Sequence, residues 1–173
     1  ISPDGGDRCF PFLFFEVKKA GSDLQEAFTA NLHSASQALY NIYNRMVRAG
    51  HEAIFLRSVR EFSIVLNAKD LVVRLHRGEK LSTRALGFRF DEFKVLDRYT
   101  KDDACLLVKT ILTDYAAEEL HPILKSTFDE IVNQEDERVR SKRKADEARG
   151  SSSKRHRRVQ HTGQSFGMSN LGT

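Results

Sequence analysis

One stretch limits the folds open to this chain more than any other: Phe10-Pro11-Phe12-Leu13-Phe14-Phe15-Glu16-Val17-Lys18-Lys19. It is a nearly unbroken apolar run that ends in an acid, a β-branched residue and a base. A run of this kind reads as a strand buried on both faces of a sheet. Side chains alternate along a strand, so Phe12, Phe14, Glu16 and Lys18 share one face and Leu13, Phe15 and Val17 the other. A carboxylate and an ammonium therefore stand two residues apart on one face. Burying unpaired charge is costly, so this end of the strand is expected to meet solvent, a partner or a metal.

The strand needs layers around it, and the next segment supplies one. Ala20-Gly21 breaks the pattern, Ser22 or Asp23 caps a helix, and Gly50 is a stop after Ala49. On this helix Leu24, Phe28, Ala35, Leu39, Ile42 and Met46 form an apolar stripe that marks the core face. His33, Gln37, Tyr40 and Asn44 fall opposite. That second stripe has two readings, a solvated surface or a border of the site at Glu16 and Lys18, since a helix directly after a strand packs back over its sheet. Residues 51–60 read as a connection. The runs 62–66 and 71–76 read as a hairpin closed by Asn67-Ala68-Lys69-Asp70. Gly78-Glu79-Lys80 reads as a turn, and residues 87–93 as a weaker strand. Thr100 or Asp102 caps a second helix, and a third lies around Pro122 with Leu120, Ile123, Leu124, Phe128 and Ile131 at helical spacing.

From about Gln134 the apolar residues nearly vanish. The expected organisation is an α/β domain over residues 1–134 and a basic, disordered tail over 135–173, after a short fraying helix. The formal charge is only +4, but basic residues concentrate in that tail. Lys142-Arg143, ten intervening residues and Lys154-Arg155-His156-Arg157-Arg158 match a two-cluster nuclear-import signal. Nuclear localisation and a nuclear import receptor as partner are expected. The competing readings are a solvated tail or a nonspecific binder of nucleic-acid phosphates.

Other chemistries find little footing. Cys9 and Cys105 lack zinc-type spacing and read as reduced, buried thiols of an intracellular protein. His33, His51, His76 and His121 form no metal pair at helical or hairpin spacing and read as surface or packing residues. No apolar run approaches the roughly 18 residues of a membrane span. The first residue is isoleucine and no signal peptide follows, so the chain reads as a fragment.

Glu16-Val17-Lys18 after a hydrophobic strand, followed by a helix bearing Gln37 and Tyr40, resembles the PD-(D/E)XK nuclease superfamily, in particular its RecB-type branch. Phe10-Pro11-Phe12-Leu13 through Lys19, with Asn31 to Tyr40, also resembles an uncharacterised fungal domain family grouped with that fold. The resemblance covers about residues 1–100. It implies a restriction-endonuclease-like mixed sheet flanked by helices, lacking its N-terminal part here, with the Glu16 strand at its centre. It also implies a Mg²⁺-dependent nuclease in which Glu16 holds the metal, Lys18 acts on the attacked phosphate, and Gln37 and Tyr40 support the site or touch nucleic acid. The family takes a further metal-binding aspartate from a preceding strand. Asp4, in Pro3-Asp4, fills that place here, in a Gly-rich turn. The spacing from Gln37 to Tyr40 is one residue shorter than the family's Gln-x-x-x-Tyr. The alternative is a catalytically inactive domain of the same fold that binds nucleic acid or protein.

Overall fold

The computed structural model describes residues 10–82 and 85–159. The chain divides between Ile131 and Val132 into two compact units. Within the first, the elements run β1 (Leu13–Val17), α1 (Gln25–Arg48), α2 (Glu52–Ser58), β2 (Glu61–Leu66), β3 (Asp70–Lys80), β4 (Leu86–Asp97) and α3 (Lys101–Thr110). A π-helical segment (Ile111–Leu120) and α4 (His121–Val159) follow, and α4 continues into the second unit. The fold is α/β.

The four strands form one mixed sheet in the order β1-β2-β3-β4. β1 and β2 are parallel, joined through α1 and α2, while β2-β3 and β3-β4 are antiparallel. The strand buried on both faces is β2, all six of whose residues are buried. β1 lies instead at the edge, with Phe15 50% and Val17 63% exposed. The expected central position of the Glu16 strand is therefore not what the described sheet has. An aromatic run reports hydrophobicity, which a strand can satisfy on one face, and carries no information about its rank in the sheet.

α1 buries Ala27, Asn31, Ala35, Ala38, Leu39, Ile42 and Met46. The expected Leu24 and Phe28 are only half-buried, and small residues fill the stripe where the helix approaches the sheet. Across the sheet, the Phe62 and Tyr115 rings meet edge-on at 5.1 Å, and the Tyr115 hydroxyl accepts from the Arg60 N–H at 2.6 Å and donates to its carbonyl at 2.8 Å. The β2-β3 turn forms as expected. Asn67 Oδ1 accepts from the backbone N–H groups of Lys69 and Asp70 at 2.8 and 2.7 Å, a turn that only a short polar side chain can close.

Several expectations change. The connection over 51–60 contains α2. Gly78-Glu79-Lys80 is the end of β3, not a turn, and Gly78 is buried where a Cβ would come within 2.5 Å of the Phe55 ring, which leaves room only for glycine. β4 is longer than 87–93, since β3 pairs with it from Leu86 to Asp97; ion pairs cross that ladder between Arg74 and Glu92 at 2.9 Å, Arg77 and Asp91 at 3.2 Å, and Arg89 and Glu79 at 3.3 Å. Thr100 caps α3 reciprocally with Asp103. Cys105 is exposed on α3, contrary to the buried reading, while Cys9 lies outside the described residues. The π turns stand directly before Pro122, which has no N–H to donate and whose ring crowds the carbonyl four residues earlier; wider turns give that ring room.

In the second unit, the segment expected to be disordered is helical as far as Val159. Residues 135–149 hold neither Pro nor Gly and consist mainly of Glu, Arg, Lys and Ala, which favour helix without any buried face. Glu135 and Arg138 add an ion pair at 3.7 Å. The remainder of the expected tail, 160–173, lies outside the described residues. Among the described residues no helix is long and apolar enough to cross a membrane.

Candidate functional site

Glu16 is the fourth residue of β1, and the backbone N–H of Lys18 still pairs with the Leu66 carbonyl at 2.8 Å. Parallel pairing sets Glu16 beside Val65, and Val65 lies opposite Val72, so these residues share one sheet face. On that face Lys18 Nζ meets Glu16 Oε1 at 2.9 Å and Glu26 Oε2, from the first turn of α1, at 3.8 Å. The Lys18 and Glu16 side chains are 24% and 31% exposed, so the pair is within reach of a solute. Hydrogen bonding to Glu16 raises the Lys18 pKa, and the charges of Glu16 and Glu26 add to this against partial desolvation. The lysine is thus held as a cation between two carboxylates.

Gln37 and Tyr40 do not join them. Both are exposed, and Gln37 Nε2 donates to Asn41 Oδ1 at 3.2 Å. The buried stripe of α1 turns them to solvent, and Gln37 is about 16 Å along the helix axis from Glu26. His33 and Asn44 are exposed too, so the whole stripe faces solvent. Asp4 lies outside the described residues. Lys142 and Arg143 are exposed on α4, and Lys154, Arg155, Arg157 and Arg158 fall in its last turns.

Among the described residues no group of three or more His, Cys, Asp or Glu side chains is placed to hold a metal ion. Mg²⁺ requires less than that. It keeps several waters and is commonly held by one or two carboxylates together with substrate phosphates. Glu16 and Glu26 converge on one cation, the Lys18 ammonium, which is a donor set of that type.

A second group of polar residues on the same sheet face was not anticipated. Glu61 and Ser63 of β2 stand opposite His76 and Arg74 of β3. Ser63 Oγ and His76 Nε2 are 2.8 Å apart and buried. The Arg74 guanidinium lies over the Phe28 ring of α1 at 3.8 Å and the Phe90 ring of β4 at 4.5 Å. Glu61 is fully buried and neither carboxyl oxygen has a hydrogen-bond partner. Burial pushes its pKa up to about 9. Burial, with the nearby Arg74 charge, pulls His76 down to about 4. At neutral pH both groups are therefore uncharged. The alternation Glu61-Phe62-Ser63-Ile64-Val65-Leu66 carries the signal, and a strand started at Phe62 hides the acid. His76 fits the packing role expected of it.

His51 closes the first unit from another side. Thr127 Oγ1 lies 2.9 Å from the Ile123 carbonyl and 3.0 Å from His51 Nδ1, so this hydroxyl links α4 to the residue that precedes α2.

Residues 5–127 match the model of a family described as Domain of unknown function (DUF7924). No curated protein and no solved structure matches the chain.

Proposed function

We propose that this chain, which belongs to the DUF7924 family, is a PD-(D/E)XK-like domain that hydrolyses nucleic-acid phosphodiesters with Mg²⁺ at Glu16 and Lys18. The observation that carries this reading is the Glu16–Lys18 pair at 2.9 Å where β1 ends, followed by a helical crossover into parallel β2. Strand, helix and strand in that order are what the resemblance implies, and an acid and a lysine on one face are what the chemistry requires.

Glu16 and Glu26 would hold the metal, with Asp4 as a further ligand. When bound, Mg²⁺ polarises a phosphoryl oxygen and acidifies a water. The chain's own contribution is charge and placement. Lys18 has a raised pKa, so it remains an ammonium at neutral pH and does not serve as the proton acceptor. Its role is to offset negative charge growing on the attacked phosphate. Glu16 positions that ammonium and binds the metal through its remaining lone pairs. Lys142-Arg143 and Lys154 to Arg158 would supply nuclear import.

The full chain with Mg²⁺ is expected to nick or degrade DNA or RNA. Glu16→Gln and Lys18→Ala are each expected to lower the rate at least about 10²-fold, the usual order for losing one charge-stabilising group, with an unchanged circular dichroism spectrum. Glu26→Gln is expected to shift the Mg²⁺ requirement upward. Equal cleavage by the parent and both variants defeats the assignment. Salt-sensitive binding without cleavage, indifferent to Glu16, favours the inactive binding domain instead.

A further inference from the structure

Over residues 132–148, the part of α4 in the second unit has no buried side chain. Between Arg138 and Arg158 the chain has ten lysines and arginines against two acids, Asp146 and Glu147, and only Val139, Ala145 and Ala148 are apolar. Val139 is itself 47% exposed. A helix that is polar all round has no apolar stripe through which packing could stabilise it. Its charges partly cancel along the axis: Lys142 with Asp146 and Arg143 with Glu147 are opposite-charge pairs four residues apart, while Arg138 with Lys142 and Arg140 with Lys144 are like-charged pairs at the same spacing. An anionic partner would relieve the like-charged pairs.

We propose that the basic stretch of α4, centred on Arg138 to Lys144, binds the phosphates of duplex nucleic acid as a helix. The linear charge densities suit one another. A duplex carries about one negative charge per 1.7 Å of axis, and residues 138–144 place five basic side chains on seven residues, about one per 2 Å of helix axis at 1.5 Å per residue. A continuous basic helix is a form that duplex grooves accept. Arg138, Arg140, Lys142, Arg143 and Lys144 are all exposed and point around the helix, which favours phosphate contacts over the reading of bases.

This conformation conflicts with the other use of the same residues. An import receptor reads the two basic clusters on an extended chain. Lys142 and Lys154 are twelve residues apart, which is about 40 Å extended but about 18 Å in a helix. Duplex binding and import would therefore take alternative conformations of one segment. Neither use involves Glu16 or a metal, so the nuclease reading can fail without affecting this one.

The test uses the full chain in EDTA, which suppresses any cleavage, with a labelled duplex of about 30 base pairs followed by anisotropy across a salt series. Replacing Lys142 and Arg143 by Gln is expected to weaken binding about 10- to 100-fold and to reduce the slope of log K against log salt by about 2. Ala145→Pro keeps every charge but breaks the helix; it is expected to weaken duplex binding several-fold and to leave capture by a purified import receptor intact. The proposal is overturned if the Gln variant retains the parental affinity and slope. It is overturned equally if Ala145→Pro binds duplex as well as the parent, because the segment then acts as an unstructured polycation. Capture by the receptor with no duplex binding by the parent also refutes it.

Discussion

Glu61 sits on β2 without solvent contact and with neither carboxyl oxygen hydrogen-bonded. Its folded pKa is about 9, against 4.5 for the free side chain. Between those values the folded chain keeps a proton that the unfolded chain gives up, so this residue lowers stability progressively as pH rises from about 4.5 to about 9. His76 works in the other direction. Its folded pKa is about 4 against 6.5, so it lowers stability as pH falls through that interval. Glu61→Gln keeps the shape and removes the ionisation. It is expected to raise stability at pH 7 by up to about 3 kcal/mol and to flatten the decline toward pH 9, measured by urea denaturation at pH 5, 7 and 9. An unchanged decline would place its origin elsewhere. Of the candidate site, Glu16 and Lys18 were legible in the sequence because their spacing of two puts them on one strand face. Glu26 was not, because its contact with Lys18 depends on how α1 returns over the sheet. Nor was Glu61, because one acid before an apolar run looks like a boundary until both faces of the strand are known to be covered.

At the level of elements, β3 and α2 meet where Gly78 passes beneath Phe55. Gly78→Ala would bring a methyl within 2.5 Å of that ring. The expected cost is about 1 to 3 kcal/mol, the usual range for overpacking, seen as a lower urea midpoint at unchanged m-value. A companion Phe55→Leu change should recover part of it. Elements with local signals were readable: α1 within a few residues from its stripe and stops, the β2-β3 hairpin from Asn67 and Asp70, and α3 from Thr100. What depends on partners distant in sequence was not. β4 extends to Asp97 because β3 offers it a ladder, and β1 is an edge because β2 is the strand that both layers cover. Gly78 looked like a turn because glycine tolerates turns, whereas here it answers to close contact with an aromatic ring. The helix of 132–159 escaped a reading based on hydrophobicity, since the preference of Glu, Lys, Arg and Ala for helix does not depend on burial.

Over the whole molecule, the departure with the widest consequence is the position of one strand, β1, and that strand sets how the protein behaves in company. Among the described residues the outer side of β1 has no strand partner, and Phe15 and Val17 face solvent beside it. Unpaired N–H and C=O groups next to exposed apolar side chains form a template for strand addition. At high concentration two copies are expected to join edge to edge, giving a concentration-dependent mass in sedimentation. Val17→Lys should suppress that association, since a charge on an exposed edge strand opposes it, while leaving the Glu16–Lys18 pair on the opposite strand face in place. On that expectation crowding becomes a chemical variable for this protein, because the margin of β1 beside the exposed Phe15 and Val17 pairs more as concentration rises.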